Sequence, residues 1–292
     1  MNLKNARPVP KKEVLDFINE QIPNSNLYDL KSIPIFCDDY FHWIKDSKAV
    51  NLSGLEKFES KSYTHGTAQA FDFFYNKYHN RRMRCFKGDF IYHKLCWKQN
   101  MEWEYLEDDD LKENDAVILS VPFSDSGGIH PQTDELLDKC DELKVPVIID
   151  SAYMIIANKI NFNFDRDCIE SVCFSLSKGF YGAEKLRIGL RLSKKFTDDG
   201  IEVFNLMEMV NMVGVYVGHQ IIKCFPHDYN VNTFRSRQSD FCYSMNLKRS
   251  NCVIFGLADK DDPKYKEHDR GTDFRRVCLS PLLGDMEDLH YV

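Results

Sequence analysis

The stretch Phe174-Ser175-Leu176-Ser177-Lys178-Gly179-Phe180 sets two hydroxyls just before a lysine, and it is the most informative feature of the chain. An apolar run that leads into an acid, Ile148-Ile149-Asp150-Ser151-Ala152-Tyr153, precedes it, and Arg187-Ile188-Gly189 follows it. Asp150 and Ser175 each close a short apolar run that predicts a buried strand. In open α/β sheets, ligands bind beyond the carboxyl ends of strands, so we expect both side chains at a binding site.

Apolar spacing elsewhere predicts strands that alternate with helices, and therefore an α/β fold with a parallel sheet. Strands are predicted over residues 116–121, 145–149, 172–174 and 188–192. Helices are predicted over residues 11–22 and 66–78. A third helix is expected to begin at Thr133 as its cap, with an inner face made of Leu136, Leu137, Cys140 and Leu143.

Composition restricts the partners of the chain. Its 292 residues are 43% hydrophobic and 28% charged, as in soluble globular proteins. The formal net charge of -7 argues against a nucleic-acid or anionic-membrane partner, because both require a basic surface. The cluster Arg81-Arg82-Met83-Arg84 is interpreted as a solvated turn. The apolar segment 204–225 is too polar to span a membrane, since it contains Glu208 and His219, and it predicts a buried or interface helix.

The cysteines indicate a reducing compartment. Ten are scattered along the chain, without a Cys-x-x-Cys pair and without a Cys/His cluster of zinc-binding spacing, so no metal site is expected. Residues 1–7 contain no apolar run, so no signal peptide is expected. Both observations favour a cytoplasmic protein.

The polar groups near Lys178 match the needs of an aldehyde cofactor with a pyridine ring and a phosphate. A lysine amine can form an imine with the aldehyde, and burial can lower the pKa of such an amine toward neutrality. A partly desolvated carboxylate, Asp150, can hold the proton of the ring nitrogen. The Tyr153 phenol can bond the 3-oxygen of the ring.

The phosphate needs backbone N–H groups at a helix start, hydroxyls and one fixed cation. Gly66-Thr67-Ala68 opens a predicted helix and offers the N–H groups. Ser175 and Ser177 offer hydroxyls, and Arg187 offers the cation.

In this order the motifs resemble those of the fold-type-I enzymes that depend on pyridoxal 5'-phosphate (PLP), specifically the aspartate-aminotransferase-like class. Members have an Asp-x-x-Tyr after a hydrophobic strand, a Ser-x-Ser-Lys with the Schiff-base lysine and then an Arg-x-Gly. Asp150 with Tyr153, Lys178 and Arg187 match these positions. The resemblance implies PLP as cofactor and a large domain with a mostly parallel sheet and helices on both faces. It also implies a reduced small domain built from the two chain ends.

The same resemblance implies further residues and an assembly. Gly88-Asp89-Phe90-Ile91-Tyr92-His93 resembles the segment with the cofactor-stacking aromatic, which points to Phe90. Phe274-Arg275-Arg276-Val277 resembles the segment with the arginine that binds the substrate carboxylate, with Arg276 as the better match and Arg275 as an alternative donor. A homodimer is implied, since such sites complete their phosphate pocket from a neighbouring subunit. The expected domains are an N-terminal segment, a PLP-binding domain and a C-terminal part, at residues 1–55, 56–200 and 201–292.

The chain also departs from the family pattern. Ser124-Asp125-Ser126-Gly127 stands where members usually have Asn-Pro-Thr-Gly, so Ser124 takes the place of the asparagine with a shorter side chain. The spacing from Lys178 to Arg187 is one residue longer than the commonest one, and the chain is shorter than typical members.

An aminotransferase that acts on an amino acid is the leading prediction. A lyase, decarboxylase, racemase or cyclase with the same cofactor is the first alternative, and a fold relative that binds without turnover is the second. Ser175-x-x-Lys178 also matches the motif of penicillin-recognising enzymes. That interpretation fails, because Ser239-Asp240-Phe241 lacks the required asparagine and no Lys-Thr-Gly occurs.

Overall fold

A computed structural model describes residues 3–22 and 33–286 of the chain. Helices α1 to α10 span Lys12–Gln21, Ile33–Lys45, Gly66–Lys77, Ile91–Asn100, Thr133–Leu143, Ala183–Leu186, Gly200–Leu206, Met212–Cys224, Tyr229–Ser244 and Ser280–Leu283. Strands β1 to β12 span Asn51–Ser53, Ser60–His65, Arg82–Cys85, Trp103–Tyr105, Asp115–Ser120, Val147–Asp150, Asn161–Asn163, Ile169–Ser175, Ile188–Ser193, Lys248–Arg249, Phe255–Asp259 and Phe274–Cys278.

The largest sheet has seven strands in the order β2-β9-β8-β6-β5-β3-β4. Neighbours pair in parallel from β4 to β8, whereas β9 runs antiparallel to both β8 and β2. The predicted mostly parallel α/β fold is therefore confirmed. Asp150 and Ser175 are the last residues of adjacent strands β6 and β8, so the chain leaves both strands at one edge of the sheet.

Side chains that alternate along the strands divide between two cores, one on each face of the sheet. Ile118, Ile148 and Cys173 pack with Phe71 and Phe74 of α3. The intervening positions pack with residues of α2, α5 and α8; they include Val117, Leu119, Val147, Ile149, Val172 and Phe174. Helices thus cover both faces, as the resemblance implied.

The two ends of the chain meet beside a small antiparallel sheet, β10-β11-β12. The Cys278 N–H donates to the Leu3 carbonyl at 2.7 Å, and the Asp285 N–H donates to the Pro10 carbonyl at 3.0 Å. This arrangement agrees with a small domain made from both ends, whereas the boundaries at 55 and 200 stay a prediction. In the described ranges no helix has the length and apolarity to cross a bilayer.

The structure corrects two predicted helices. Thr133 lies inside α5 rather than at its cap, which is Gln132, and its buried hydroxyl bonds no group in the described ranges. The segment 204–225 is not one helix, because the chain breaks between α7 and α8. Glu208 has a left-handed φ of 56° there, and Met207 and Met209 are exposed.

The arginine cluster is also corrected, because residues 82–85 form strand β3 rather than a solvated turn. The Arg84 side chain is fully buried and forms an ion pair with Asp115 at 2.5 Å, and Arg82 bonds the same carboxylate at 2.7 Å. Asp115 opens the neighbouring strand β5 and supplies the counter-charge that permits burial. In residues 82–85 apolar Met83 and Cys85 alternate with the two arginines, but four residues are too few for this alternation to predict a strand.

Candidate active site

Lys178 ends a 3₁₀ turn, residues 176–178, that follows β8 directly. The Ser175 hydroxyl accepts the Ser177 N–H at 3.2 Å and donates to the Ile188 carbonyl at 3.2 Å. The hydroxyls of Ser175 and Ser177 lie 2.8 Å apart. This local bonding ends the strand and ties the turn to β9, which leaves the half-buried Lys178 facing solvent-accessible space.

Two neighbouring cavities share Lys178 as a wall. The Arg187 cavity, of about 180 Å³, is lined by the predicted residues Thr67, Ala68, Phe90, Ser124, Asp150, Tyr153, Ser177, Lys178 and Arg187, among others. The Arg276 cavity, of about 530 Å³, shares Phe90, Ser124, Tyr153 and Lys178 with it and adds Arg276. Gly66 and Ser175 line neither cavity. Thus all but two of the predicted site residues face one continuous region at the carboxyl edge of the sheet.

Asp150 is a buried acid in the wall of the Arg187 cavity, 7% exposed. The Ala152 N–H donates to one of its oxygens at 3.0 Å. Burial raises the pKa of Asp150 to about 7; the Ala152 N–H and Lys178 oppose this shift, and the nearby Asp89 carboxyl adds to it. Ionised Asp150 is therefore costly in this site unless a cation is placed against it.

Arg187 and Gly66 form an anion-attracting corner at the start of α3. Gly66 has a φ of 68°, and its N–H donates to the Arg187 carbonyl at 2.9 Å. A Cβ on Gly66 would lie 2.4 Å from Arg187 Nη2, so the guanidinium packs directly over the glycine. Within the described ranges this guanidinium donates no hydrogen bond and forms no ion pair. Burial and then the Arg187 charge lower the pKa of His65, as expected near an unbalanced cation.

Arg276 is a buried arginine, 4% exposed, in the wall of the larger cavity. Its Nη1 donates to the Ser124 carbonyl at 2.5 Å and to the Tyr153 hydroxyl at 3.4 Å. The guanidinium lies 4.7 Å from the Phe255 ring, and its Nε has no partner in the described part of the chain. No carboxylate among the described residues forms an ion pair with the Arg276 guanidinium. Arg275, the next residue, donates instead to the Asp262 carbonyl and lines neither cavity.

The N-terminal segment, residues 3–10, reaches into the site, which sequence reasoning missed. Lys178 Nζ donates to the Ala6 carbonyl at 2.9 Å, and Arg276 Nη2 donates to the Lys4 carbonyl at 3.3 Å. Lys4, Asn5 and Ala6 line the Arg276 cavity. Main-chain oxygens of this segment therefore accept one hydrogen bond from each of the two cations on which the predicted chemistry depends.

Phe90 and Asp89 mark the other side of the site. Phe90 caps α4, lines both cavities and is 37% exposed. Asp89, which was not predicted, is buried beside it and accepts the Ser120 hydroxyl and the Phe90 N–H. Burial raises the pKa of Asp89 to about 6, and its second oxygen is buried without a partner in the described ranges. It stands in the Gly88-Asp89-Phe90 segment, so that motif could have pointed to it.

A scan against protein-family models finds no match, and a search of the curated proteins finds none either. Solved structures match over nearly the whole chain. An aromatic aminotransferase from Pyrococcus horikoshii OT3 matches with a TM-score of 0.68 and 12% identity, over 95% of this chain and 90% of that one. A putative amino-acid aminotransferase from Psychrobacter arcticum 273-4 matches with a TM-score of 0.65 and 15% identity, over 95% of this chain and 86% of that one.

A PLP-bound C-S lyase from Staphylococcus hominis matches with a TM-score of 0.61 and 14% identity, over 96% of this chain and 86% of that one. At such low identity these matches establish the fold. It is the fold of the fold-type-I PLP-dependent enzymes, and the family resemblance is confirmed at that level.

Proposed function

We propose that the chain is a PLP-dependent aminotransferase that acts on an amino acid. One observation carries the proposal: a single cavity of about 180 Å³ brings together an amine, a buried acid and a guanidinium that has no ion pair within the described ranges, from Lys178, Asp150 and Arg187. An aldehyde with a basic ring nitrogen and a phosphate requires these three groups. When bound, PLP supplies an electron sink for negative charge that develops at the substrate α-carbon.

Several residues around the Arg187 cavity have the chemistry that PLP requires. Burial raises the pKa of Asp150, and a cationic ring nitrogen placed against the carboxylate would stabilise its ionised form. The Arg187 guanidinium, the start of α3 at Gly66 and the Thr67 hydroxyl suit a phosphate. Lys178 would hold the aldehyde carbon covalently through its amine, and Phe90 would lie against the ring.

Lys178 is also the group placed to move a proton. Its amine lies on the wall shared by the two cavities, so it can take a proton from a substrate carbon once it is free of the cofactor. The bond from Lys178 to the Ala6 carbonyl must be released for either role. Arg276 would orient the substrate carboxylate by a bidentate contact, in exchange for the Lys4 carbonyl.

A homodimer and a cytoplasmic location are also part of the proposal. Homodimer formation is supported by an apolar surface at the break between α7 and α8, where Leu206, Met207 and Met209 are exposed. Molecular mass in solution, measured by light scattering, tests it. A cytoplasmic location is supported by the ten cysteines, all of which are free.

The C-S lyase among the matched structures favours one rival, a lyase reaction in the same site. The two reactions differ in their products. Protein reconstituted with PLP and mixed with a panel of amino acids should form keto acids and convert the bound cofactor to its amine form. Mass spectrometry of the products tests this. A product formed without transfer of nitrogen to the cofactor would replace the aminotransferase with the lyase.

Substitution Gly66→Ala is expected to weaken PLP binding at least about tenfold. The new Cβ would lie 2.4 Å from Arg187 Nη2, and the guanidinium can move away cheaply because it ends a flexible side chain. The fold should therefore persist while the anion site is lost. Titration with PLP, followed by its absorbance, measures the change.

Gly271→Ala is the matched control. Gly271 also has a positive φ, 86°, but its added Cβ would meet nothing within 4 Å. Both variants carry the same backbone strain, of about 1 kcal/mol. Equal PLP affinity in the two variants would contradict the role of the Gly66–Arg187 corner.

A further inference from the structure

The Arg276 cavity has an excess of cationic side chains. Its walls contain the amines and guanidinia of Lys4, Lys94, Lys178, Arg270 and Arg276, against the carboxyls of Asp89 and Asp269. With a volume of about 530 Å³ it falls in the range that holds ligands larger than a single small amino acid. Lys178 lies in the wall of this cavity, so the side chain of a substrate that reacts at the Lys178 amine would extend into the cavity.

Two of these cations are balanced by acids of the protein. Arg270 Nε lies 3.0 Å from Asp125, and Arg270 Nη2 donates to the carbonyls of Gly88 and Asp89. Arg270 therefore ties the C-terminal part of the chain to the loop before α4. Lys4 pairs with Glu267 at 2.7 Å.

Lys94 is left without an acid. It lies one turn into α4, half-buried, and its ammonium sits 5.8 Å from the centre of the Tyr105 ring. No hydrogen bond or ion pair of Lys94 exists among residues 3–22 and 33–286. Lys178 and Arg276 also lack an ion pair within the described ranges, and they are assigned above to the cofactor and to the carboxylate of the substrate.

We propose that the substrate is an amino acid whose extended side chain ends in an anionic group, a carboxylate or a phosphate, and that Lys94 receives this group. The inference rests on the proposed function, in which Arg276 holds the α-carboxylate. Lys94 and Arg276 come from different parts of the fold, helix α4 and strand β12, so the two ends of one elongated ligand can meet separate cations.

Burial decides against the other side chains. A neutral side chain that filled the cavity would strip water from the Lys94 ammonium and give it no counter-charge. A cationic side chain would add repulsion to that cost. An anionic end replaces the lost water with a charge-assisted bond, which is the stronger kind of hydrogen bond.

The test measures binding rather than turnover. Calorimetry with PLP-reconstituted protein compares adipate, which has an anionic group at each end, with hexanoate, which has the same length and one. Adipate is expected to bind at least about tenfold more tightly. The preference should disappear in Lys94→Gln and persist in Lys98→Gln, an exposed lysine one turn further along α4 that lines neither cavity.

A third ligand, 5-phosphonopentanoate, distinguishes the two anionic groups. Tighter binding than adipate identifies a phosphate end, and weaker binding identifies a carboxylate end. Equal affinities for adipate and hexanoate, or a preference that survives Lys94→Gln, would overturn the inference. Borohydride treatment in parallel reports covalent attachment of PLP, so a failure of the proposed function is seen separately from a failure of this one.

Discussion

Lys178→Ala is expected to abolish covalent attachment of the cofactor. Borohydride treatment of the reconstituted wild type should add the mass of reduced PLP to the peptide that contains Lys178, and the variant should gain nothing. Turnover should fall by about three orders of magnitude or more, since one amine both holds the cofactor and moves the substrate proton. Peptide mass spectrometry and the amino-acid half-reaction measure the two effects.

Stability should change little in this variant. The one hydrogen bond of Lys178 Nζ within the described ranges goes to the Ala6 carbonyl, and the side chain is half-buried in a cavity wall. Lys185→Ala, at an exposed position in α6, is the control and should keep both labelling and turnover. Labelling of another lysine in the Lys178→Ala protein would show that the attachment site is assigned wrongly.

Strand ends were predictable because their signal is local. Residues 147–149 and 172–174 are short apolar runs, each followed by a polar residue, and parallel strands bring such residues to one edge. Lys178 follows in the next turn, so its place beside Asp150 needed no long-range information. The start of α3 at Gly66 was predictable for the same reason.

Contacts between distant segments could not be predicted from these patterns. The Ala6 carbonyl meets Lys178 across 172 residues of chain, and Arg276 meets Ser124 across 152. Lys94 comes directly after the segment 88–93, yet its half-burial beside the Arg276 cavity depends on how α4 packs. Arg84 shows the same limit, because the acid that permits its burial belongs to another strand.

Asp150→Asn is expected to change function and stability in opposite directions. Asparagine keeps the oxygen that accepts the Ala152 N–H but cannot carry the charge that a ring cation needs. PLP affinity and turnover should both fall, with turnover at least about 100-fold lower. Absorbance titration and the half-reaction measure these losses.

The cofactor-free variant should be more stable than the cofactor-free wild type at pH 8. The pKa of Asp150 is about 7 in the folded protein, whereas an unperturbed aspartate, as in the unfolded chain, has a pKa of 3.8. At a pH between these two values the folded state therefore binds more protons than the unfolded state. Wild-type stability therefore falls as pH rises from about 4 to 7, by on the order of 4 kcal/mol, and stays low above 7. Asparagine does not titrate, so the free energies of unfolding of the two proteins, measured with denaturant, should differ at pH 8 and agree at pH 4.

Asp240→Asn, at an exposed position on α9, should match the wild type at both pH values. A variant that is no more stable than wild type at pH 8 would mean that Asp150 ionises there without cost, and the argument for a bound ring cation would lose its physical basis.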